Sequence, residues 1–418
     1  MRQTKETVRL GFIGVGDQGS SHLDIALGIP GVEVVALCDV DAGYLERAKV
    51  WVEEANQPTP TLYGRGPEDY KRLCQEEDLD AIICSTPWDT HASICIEAMK
   101  NGKNAVCEVP LVLTLDEAWE LIETHESTGK WATLGFKPVH SAIGNMISLG
   151  MFGEMIYFEG GYIHDLRLVK FDPEREPWRL QHAIERNGNL YPDHPTTWAM
   201  PLMDINHGDR FDYLVSMSSS AKCLNEYAKH YYGEKNYYAT SPVKQGDYNA
   251  TLIRTVNGKV FNLKHDTHTP HPRGVYWLQG SKAVYMRIKA LKNGDKIYFD
   301  HNTVHEADGH EWEDAKPYLE KYEHPLIKTY EPPERAAIRG HSGGGRKTPY
   351  AWHRLVLALR EGRVTDFDVY DSVTSSVIGP LTEMSVANGS KPVEFPDFTK
   401  GKWEERPSLL TTEDACSE

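Results

Sequence analysis

The sequence has no run of about 18 apolar residues, the length that a helix needs to cross a bilayer. Its opening segment, MRQTKETVRLGF, lacks the apolar core of a secretory signal peptide. We therefore expect a cytoplasmic protein with no membrane partner, although a leader removed before this start would leave no trace. The net charge is −16 at pH 7. So large an acidic excess argues against nucleic acid as a partner, because phosphate backbones repel it.

Cysteine is also scarce, with seven among 418 residues and no Cys-x-x-Cys pair. An odd number without such pairs predicts reduced, mostly buried thiols rather than a disulfide framework. Histidine is abundant, but two histidine groups in the second half have spacings that fit neither a helix face nor a zinc finger. We therefore predict no metal site. The two groups are His265, His268 and His271, and His301, His305 and His310.

What the sequence does contain is a glycine pattern near its start. Gly14, Gly16 and Gly19 form a G-x-G-x-x-G between an apolar run and a helical pattern, and Asp39 ends the next apolar run. The first glycine permits a tight turn, the second lets the backbone approach a pyrophosphate, and the third lets the helix pack close to the strand. Asp39 can bind ribose hydroxyls and would repel a 2′-phosphate. The pattern predicts an NAD site; the alternative is a glycine-rich turn in another kind of α/β protein.

The chain shows two kinds of secondary-structure pattern. Up to residue 137, apolar strand-like runs alternate with helical patterns, which predicts an α/β Rossmann domain with a doubly wound parallel sheet. Beyond it, period-two runs and turn signals such as Asn257-Gly258 and Gly280-Ser281 predict an α+β domain with a large, mostly antiparallel open sheet. The expected divisions are an NAD-binding domain at 1–137, a substrate-binding domain at 138–395 and a surface tail at 396–418.

Polar side chains follow the strands of the first part. Thr86 and Trp88 come after the run AIIC, His91 opens the next helical pattern, and Glu108 follows the run NAVC. The carboxyl ends of parallel strands form the edge where doubly wound sheets bind cofactors, so we expect these residues beside NAD. The alternatives are a helix cap with a structural tryptophan, and a surface glutamate before a proline that directs the chain.

Loops of the second part are dense in polar and aromatic residues. One loop follows Tyr162 and contains His164, and another runs up to His194. Such loops suit a carbohydrate, because sugars offer hydroxyls to polar side chains and an apolar face to aromatic rings. For any single histidine the alternative is a structural hydrogen bond.

Several motifs carry a resemblance to known families. GVGDQG, STPWDTH and the Glu108–Pro110 tripeptide resemble the Gfo/Idh/MocA sugar oxidoreductases, which typically carry Glu-Lys-Pro; Val109 replaces that lysine here. In the second part, GGYIHDLR, the Trp178-Arg179 pair, RNGNLYPDH and INHGDRFDYLVSMSS look like glycoside hydrolase family 109, the NAD-dependent α-N-acetylgalactosaminidase branch. The resemblance covers nearly the whole chain.

The resemblance implies positions for both ligands. Beside the glycines, the expected NAD contacts are Asp17, Gln18, Asp39, Trp88, His91, Glu108 and Val109. The expected sugar contacts are Tyr162, Arg179, Tyr191, Asp193 and His194.

The chain also departs from the family's pattern. The family tyrosine after the last Rossmann strand is Phe136 here, which cannot exchange a proton. A second family tyrosine is replaced within HPRG, where Arg273 becomes the expected sugar contact. The family's YPTHG appears as YPDHP, and its GHGG as GHSGG. We predict an intact cofactor site and an altered sugar site.

The resemblance implies hydrolysis without net redox, by transient oxidation at sugar C3, loss of the C2 proton, departure of the aglycone, addition of water and re-reduction. We expect His194 to act as acid and base, because imidazole titrates near working pH. Tyr191 belongs to the same catalytic group and orients the sugar with Arg179. His164 is the candidate for the proton role lost at Phe136.

Two alternatives remain open: an NAD-dependent dehydrogenase that releases a 3-keto sugar, and a catalytically silent NAD-bound sugar-binding protein. The resemblance also implies a homo-oligomer, formed by pairing of the antiparallel sheet with that of a second copy.

Overall fold

The computed structural model describes residues 6–135, 139–288, 290–292, 294–300, 311–335 and 347–410. The chain forms two compact units. The first unit contains Met1–Val139 and Pro325–Ser376, and the second contains His140–His324 and Val377–Glu418. Several residues singled out above lie outside the described ranges: Phe136, the GHSGG segment at 340–344, and the histidines at 301, 305 and 310.

The strands are numbered in chain order. They are β1 (Val8–Ile13), β2 (Val32–Cys38), β3 (Thr61–Tyr63), β4 (Ala81–Cys84), β5 (Asn104–Cys107), β6 (Ala132–Thr133), β7 (Met155–Ile163), β8 (Phe211–Ser218), β9 (Asn249–Thr255), β10 (Val260–Asp266), β11 (Val275–Gly280), β12 (Ala283–Ile288), β13 (Lys296–Phe299), β14 (Glu313–Asp314) and β15 (Val393–Glu394).

The helices are numbered in the same way. They are α1 (Asp17–Ala26), α2 (Ala42–Glu54), α3 (Asp69–Glu76), α4 (His91–Lys100), α5 (Leu115–Thr128), α6 (Ala142–Ser148), α7 (Arg167–Phe171), α8 (Trp178–Glu185), α9 (Asp193–Leu202), α10 (Cys223–Tyr232), α11 (Tyr237–Thr240), α12 (Lys316–Lys321), α13 (Pro325–Thr329), α14 (Lys347–Glu361), α15 (Val369–Ser376) and α16 (Ile378–Ala387). Short 3-10 turns occur at Trp88–Thr90 and Lys402–Glu404.

The first unit is built on a six-stranded parallel sheet in the order β3-β2-β1-β4-β5-β6. This is the strand order of dinucleotide-binding folds, so the Rossmann prediction is confirmed. All four residues of β4 are buried, as expected where helices cover both faces of a parallel sheet. The order reverses between β1 and β4, so the carboxyl ends of these two strands form the crevice where such folds bind their ligand.

The first unit also contains a late segment of the chain that we expected in the second domain. Helix α14 lies against β1, with Trp352 fully buried and its ring centroid 6.4 Å from that of Phe12. Thr133 Oγ1 donates to the Phe367 carbonyl at 2.5 Å. The expected domain at 138–395 therefore differs from the structure, because the apolar face of α14 completes the core of the parallel sheet.

The second unit is built on a nine-stranded sheet in the order β14-β13-β12-β11-β7-β10-β9-β8-β15. Strands β7 and β10 are parallel, and the other neighbouring pairs are antiparallel. The prediction of a mostly antiparallel sheet is confirmed. Asn257-Gly258 joins β9 to β10, and the turn after Gly280 joins β11 to β12.

The described part of the expected tail packs onto the second unit. Strand β15 pairs with β8, and Phe395 and Phe398 are buried. Asp397 accepts hydrogen bonds from the backbone N–H groups of Thr399 and Gly401. The described part of the expected tail thus differs from a surface segment, because Phe398 is buried and Asp397 holds the backbone that follows it.

None of the described helices combines the length and apolarity that crossing a bilayer requires. The six cysteines in the described ranges are all free thiols.

Candidate cofactor and sugar sites

The glycine loop after β1 has the shape of a phosphate cradle. Gly14 has φ +84°, and a Cβ atom there would lie 2.7 Å from the Ser85 carbonyl. A Cβ atom on Gly19 would lie 2.0 Å from the Gly14 oxygen. At Gly16 the nearest atom to such a Cβ is in the Tyr44 ring at 3.4 Å, and no backbone atom approaches it. The first and third glycines are thus required by packing, whereas the second leaves room for a pyrophosphate.

Asp39 lies where a ribose would be recognised. Its carboxylate accepts hydrogen bonds from the Val15 and Asp41 N–H groups, at 2.8 and 3.0 Å. Each carboxylate oxygen has a second lone pair, so the half-buried side chain can still accept ribose hydroxyls. Asp17 is exposed at the first position of α1. Its negative charge interacts favourably with the N-terminal end of the helix dipole but would repel a phosphate. The backbone N–H of Asp17, and not its side chain, is therefore the group suited to bind the cofactor.

Arg47 is part of this loop although the sequence analysis did not single it out. It extends from α2, and its Nη2 donates to the Val15 carbonyl at 3.0 Å. It therefore fixes the backbone of the cradle. No local motif predicts this contact, because 32 positions separate the two residues.

His91 connects the ends of β4 and β5. Its Nδ1 lies 2.7 Å from the Pro110 carbonyl oxygen, and its Nε2 lies 2.7 Å from that of Thr86. Carbonyl oxygens only accept, so both hydrogen bonds form when the ring carries both protons. The Thr86 hydroxyl accepts from Thr90 at 2.7 Å, and Trp88 is buried beside them. These contacts position Thr86 and Trp88 at the edge of the parallel sheet where a nicotinamide ribose is expected.

The same region holds a group of potential metal ligands. In the described ranges, ligand atoms of Cys84, His91 and Cys107 lie within 4.8 Å of one another. Both nitrogens of His91 face carbonyl oxygens, however. A metal could bind His91 only if one of these 2.7 Å contacts with a carbonyl oxygen were broken.

Glu108 is held as a carboxylate by a short chain of side chains. His22 Nε2 lies 2.6 Å from its Oε1, and Gln18 Nε2 donates to the same oxygen at 3.2 Å. Burial opposes ionisation, but the hydrogen bond and charge of His22 and the Val109 N–H together lower the pKa of Glu108 to about 2. His22 was not predicted to belong to the site. Its position four residues after Gln18, on one face of α1, was an available signal.

In the second unit, three predicted sugar contacts form one aromatic cluster. The Tyr162 ring, near the end of β7, is stacked 4.8 Å from that of His194 and meets the edge of Tyr191 at 4.5 Å. The Tyr191 and His194 rings are 4.7 Å apart. The two segments converge because β7 delivers Tyr162 at its carboxyl end, while the other two residues lie at the start of α9. The cluster offers ring faces and a titratable nitrogen to a sugar.

Arg179 lies against this cluster. Its guanidinium is 5.3 Å from the Tyr191 ring centroid and forms two hydrogen bonds with Glu176, at 2.6 and 3.1 Å. Glu176, three residues earlier, therefore fixes the direction of the arginine. Asp193 is completely buried as the first residue of α9.

His164 follows β7 and lies beside Tyr162, whose hydroxyl is 3.2 Å from its Nδ1. Burial, and next the positive charge of Arg273, lower the pKa of His164 to about 4. The ring is therefore neutral above about pH 5, so it can accept a proton. Arg273, in the loop before β11, is exposed.

A buried polar chain that the sequence analysis missed lies in the same unit. Lys170 Nζ donates to Thr267 Oγ1 at 2.8 Å and lies 2.7 Å from His268 Nε2. His268 in turn lies 3.6 Å from Asp247. Burial, followed by the charge of Arg179, lowers the pKa of Lys170 to about 7. The sequence carried no signal for this chain, because the burial of Lys170 is seen only in the structure.

Two family models match the chain. The model for the glycosyl hydrolase 109 C-terminal domain matches residues 139–405. The model for the oxidoreductase family NAD-binding Rossmann fold, Gfo/Idh/MocA, matches residues 8–136. Together they confirm both parts of the resemblance and the NAD-binding nature of the first unit.

Curated relatives agree with the family models. A glycosyl hydrolase family 109 protein of Shewanella sp. strain W3-18-1 is 38% identical over 412 residues, which cover 97% of this chain and 88% of that protein. An α-N-acetylgalactosaminidase of Shewanella oneidensis is 37% identical over 418 residues, with the same coverage.

Solved structures share the fold. Levoglucosan dehydrogenase, in complex with NADH and levoglucosan, superposes with a TM-score of 0.68 at 19% identity and covers 93% of this chain and 100% of its own. An NAD-binding oxidoreductase from Klebsiella pneumoniae gives a TM-score of 0.69 at 15% identity, covering 93% of this chain and 99% of its own.

Proposed function

The chain belongs to glycoside hydrolase family 109, and from this premise we propose that it is an NAD-dependent glycosidase similar to the α-N-acetylgalactosaminidases. The observation that carries the proposal is the cluster of Tyr162, Tyr191 and His194 in a unit that the family model covers. Those side chains can stack on a sugar and move a proton at its ring.

The cradle fits NAD. Gly16 leaves space for a pyrophosphate, the N-terminus of α1 offers N–H groups, and Asp39 can accept ribose hydroxyls. When bound, NAD supplies a reversible hydride acceptor for a sugar carbon. Glu108 and His91 hold the ends of β5 and β4 in place at the edge of the sheet where that ring is expected.

In the proposed reaction, the sugar is oxidised at C3, loses the C2 proton, releases the aglycone from C1, adds water and is reduced again. His194 transfers the proton at C2 or at the leaving oxygen. Tyr191 and Arg179 orient the sugar ring. The guanidinium of Arg179 can do so because its two hydrogen bonds to Glu176 fix its position. His164, neutral above about pH 5, accepts the proton of the hydroxyl that is oxidised.

The test is a panel of aryl glycosides that differ in sugar and anomer, incubated with the purified protein as isolated and without added NAD. Sugar release and NADH absorbance are followed together. We expect sugar release without accumulation of NADH. In D2O, the released sugar should carry deuterium at C2, since the proposed route removes that proton. Release with full retention of the original C2 hydrogen would contradict the proposed route while leaving a glycosidase.

A second candidate is an NAD-dependent dehydrogenase that gives a 3-keto sugar. It is favoured by the likeness in fold to levoglucosan dehydrogenase. It predicts NADH that accumulates only when NAD is supplied, with the glycosidic bond intact. A catalytically silent sugar-binding protein would instead bind glycosides with neither product formed.

The open sheet of the second unit supports a proposed homodimer. Its solvent face carries Met217 on β8 and Leu252 on β9, which are 63% and 53% exposed, and a second copy of this sheet would cover both. Light scattering should therefore give twice the chain mass. Leu252→Lys should reduce it to one chain, whereas Leu149→Lys, at a similarly exposed leucine on α6's end, should not.

A further inference from the structure

Tyr44, in the first turn of α2, borders the space that the glycine loop leaves for a pyrophosphate. A Cβ atom on Gly16 would lie 3.4 Å from Cε2 and 3.6 Å from Cδ2 of this tyrosine. The tyrosine side chain is 38% exposed. One edge of the ring therefore faces the cradle, while part of the ring remains open to solvent.

Arg47, one turn later on α2, contacts both the ring and the loop. Its guanidinium carbon lies 4.8 Å from the centroid of the Tyr44 ring and 5.5 Å from that of Trp51, within the range of cation–π attraction. Its Nη2 donates to the Val15 carbonyl at 3.0 Å and to the Gly16 carbonyl at 3.4 Å. A single cation thus holds the tyrosine beside the loop.

The backbone at Tyr44 is tied to the same loop through two carboxylates. Asp39 accepts hydrogen bonds from the Val15 N–H at 2.8 Å and from the Asp41 N–H at 3.0 Å. Asp41 caps α2 and accepts from the Tyr44 N–H at 2.9 Å. Because backbone and ring are both held, the tyrosine has little conformational freedom to lose when a ligand binds.

The charges around the cradle give the ring a role. Three acids, Asp17, Asp39 and Asp41, would repel a diphosphate, whereas Arg47 adds a positive charge in contact with the loop. A ring that covers the loop N–H groups would exclude water from their hydrogen bonds to phosphate. Such bonds are stronger where water is excluded, because the local dielectric constant is lower.

We propose that the Tyr44 ring covers the pyrophosphate of bound NAD and that Arg47 holds the ring there, so that the cofactor leaves slowly. The proposal rests on NAD binding by the first unit, and its consequence for turnover rests on the glycosidase function proposed above. In that reaction the hydride returns to the sugar, so NAD can stay bound from one turnover to the next. A dehydrogenase must instead exchange NADH for NAD in every turnover.

The experiment measures how fast NAD leaves the purified protein, which is loaded with NAD and then mixed with an excess of isotopically labelled NAD. Equilibrium binding of ADP-ribose, which contains the pyrophosphate, is compared with that of adenosine, which does not. The variants are Tyr44→Ala, Tyr44→Phe and Arg47→Met. The control is Val50→Ala, at a residue of α2 that is 39% exposed and thus matches Tyr44 in exposure.

We expect Tyr44→Ala to release NAD about tenfold faster and to bind ADP-ribose about tenfold more weakly, because water then reaches the hydrogen bonds between the loop and the phosphates. Adenosine binding should not change. Tyr44→Phe should keep the slow release, since the ring and not the hydroxyl forms the cover. Arg47→Met should also release NAD faster, and combining it with Tyr44→Ala should give less than the sum of the two effects. Val50→Ala should behave as the unaltered protein.

Release of NAD from Tyr44→Ala at the unaltered rate would overturn the inference. So would equal weakening of adenosine and ADP-ribose, since the ring would then stack on the base, and so would release from Tyr44→Phe as fast as from Tyr44→Ala. Glycoside cleavage is measured separately. If NAD release changes as expected but no glycoside is cleaved, the inference stands and the proposed function fails. If glycosides are cleaved while Tyr44→Ala retains NAD, only the inference fails.

Discussion

The cofactor cradle of the first unit and the proposed sugar site of the second depend on different parts of the chain. The first relies on the backbone. Packing requires glycine at positions 14 and 19, the N-terminus of α1 faces the cradle, and the Asp39 carboxylate accepts a hydrogen bond from the Val15 N–H group. The second relies on side chains: the ring of Tyr162 on β7 lies 4.5 Å from that of Tyr191, just before α9, and 4.8 Å from that of His194 on α9. Backbone geometry depends on closely spaced residues, whereas a side-chain cluster depends on which loops the fold brings together. The two regions should therefore respond to substitution in different ways.

The largest effect is expected at the glycine cradle. In Gly19→Ala the new methyl group would lie 2.0 Å from the Gly14 oxygen, so the start of α1 must move away from β1. We expect loss of bound NAD and a decrease in the free energy of unfolding of about 3 kcal/mol, as for overpacked cores. Thermal melting and the NAD content of the purified protein measure the two effects.

The matched control is Gly16→Ala, where only the Tyr44 ring lies within van der Waals range. We expect nearly unchanged stability but weaker NAD binding, because the methyl group occupies the space left for the pyrophosphate. If both variants lose the same stability, the distinction between a packing glycine and a ligand glycine is wrong.

The next effect is in the sugar region. His194→Ala should lower kcat by about a hundred- to ten-thousandfold, the usual contribution of a general acid or base. NAD content should not change, since the cradle lies in the other unit. His230→Ala, at an exposed histidine on α10, serves as control. Loss of NAD together with activity would show that the two regions are not independent in the way we describe.

Glu108 should give the first unit a dependence on acid. The pKa of Glu108 is about 2, below its ordinary value of 4.5, so the unfolded chain takes up the proton first as the pH falls. The carboxylate contributes its stability above about pH 4.5 and loses it as the pH falls through 2. This contribution to the free energy of unfolding is about 3 kcal/mol, as expected from a pKa that falls from 4.5 to about 2. Urea unfolding gives the free energy of unfolding at pH 5 and at pH 3. The difference between the two values should be smaller for Glu108→Gln than for the unaltered protein, whereas Glu120→Gln should behave as the unaltered protein does.

Lys170 should give the second unit a pH dependence in the same direction but at higher pH, because the fold disfavours its charged form. Its pKa falls from 10.5 to about 7 in the fold, so the unfolded chain holds the extra proton between these values and stability rises with pH. From pH 7 to pH 8 the rise should be about 1 kcal/mol. Lys170→Met should remove that rise, and Lys100→Met, at an exposed lysine, should not. An unchanged slope in Lys170→Met would mean that the buried amine remains charged.

Some elements could be predicted from local pattern. The helix at Asp69–Glu76 and the end of α5 at Gly129, with φ +67°, follow from short-range signals. Strand β6 contains only Ala132 and Thr133, because only these two residues pair with β5. The placement of α14 in the first unit was not predictable, since an amphipathic helix shows that it covers a core but not which core.

The candidate sites divide in the same way. The glycine spacing and Asp39 identified the cradle, while Arg47 and His22 entered through contacts that no motif marks. The sugar contacts were assigned through family resemblance, and their roles remain proposals. Lys170 was missed because a single lysine carries no sign that it will be buried.

The sequence by itself determined the cofactor class, the Rossmann fold of the first part and the family, because these depend on residue types at short, fixed spacing. Only the tertiary structure decided that Tyr162 stacks on His194 and that Lys170 is buried against His268. Burial and charge pairing depend on the sum of all neighbours, which come from distant parts of the chain, so no local pattern can specify them.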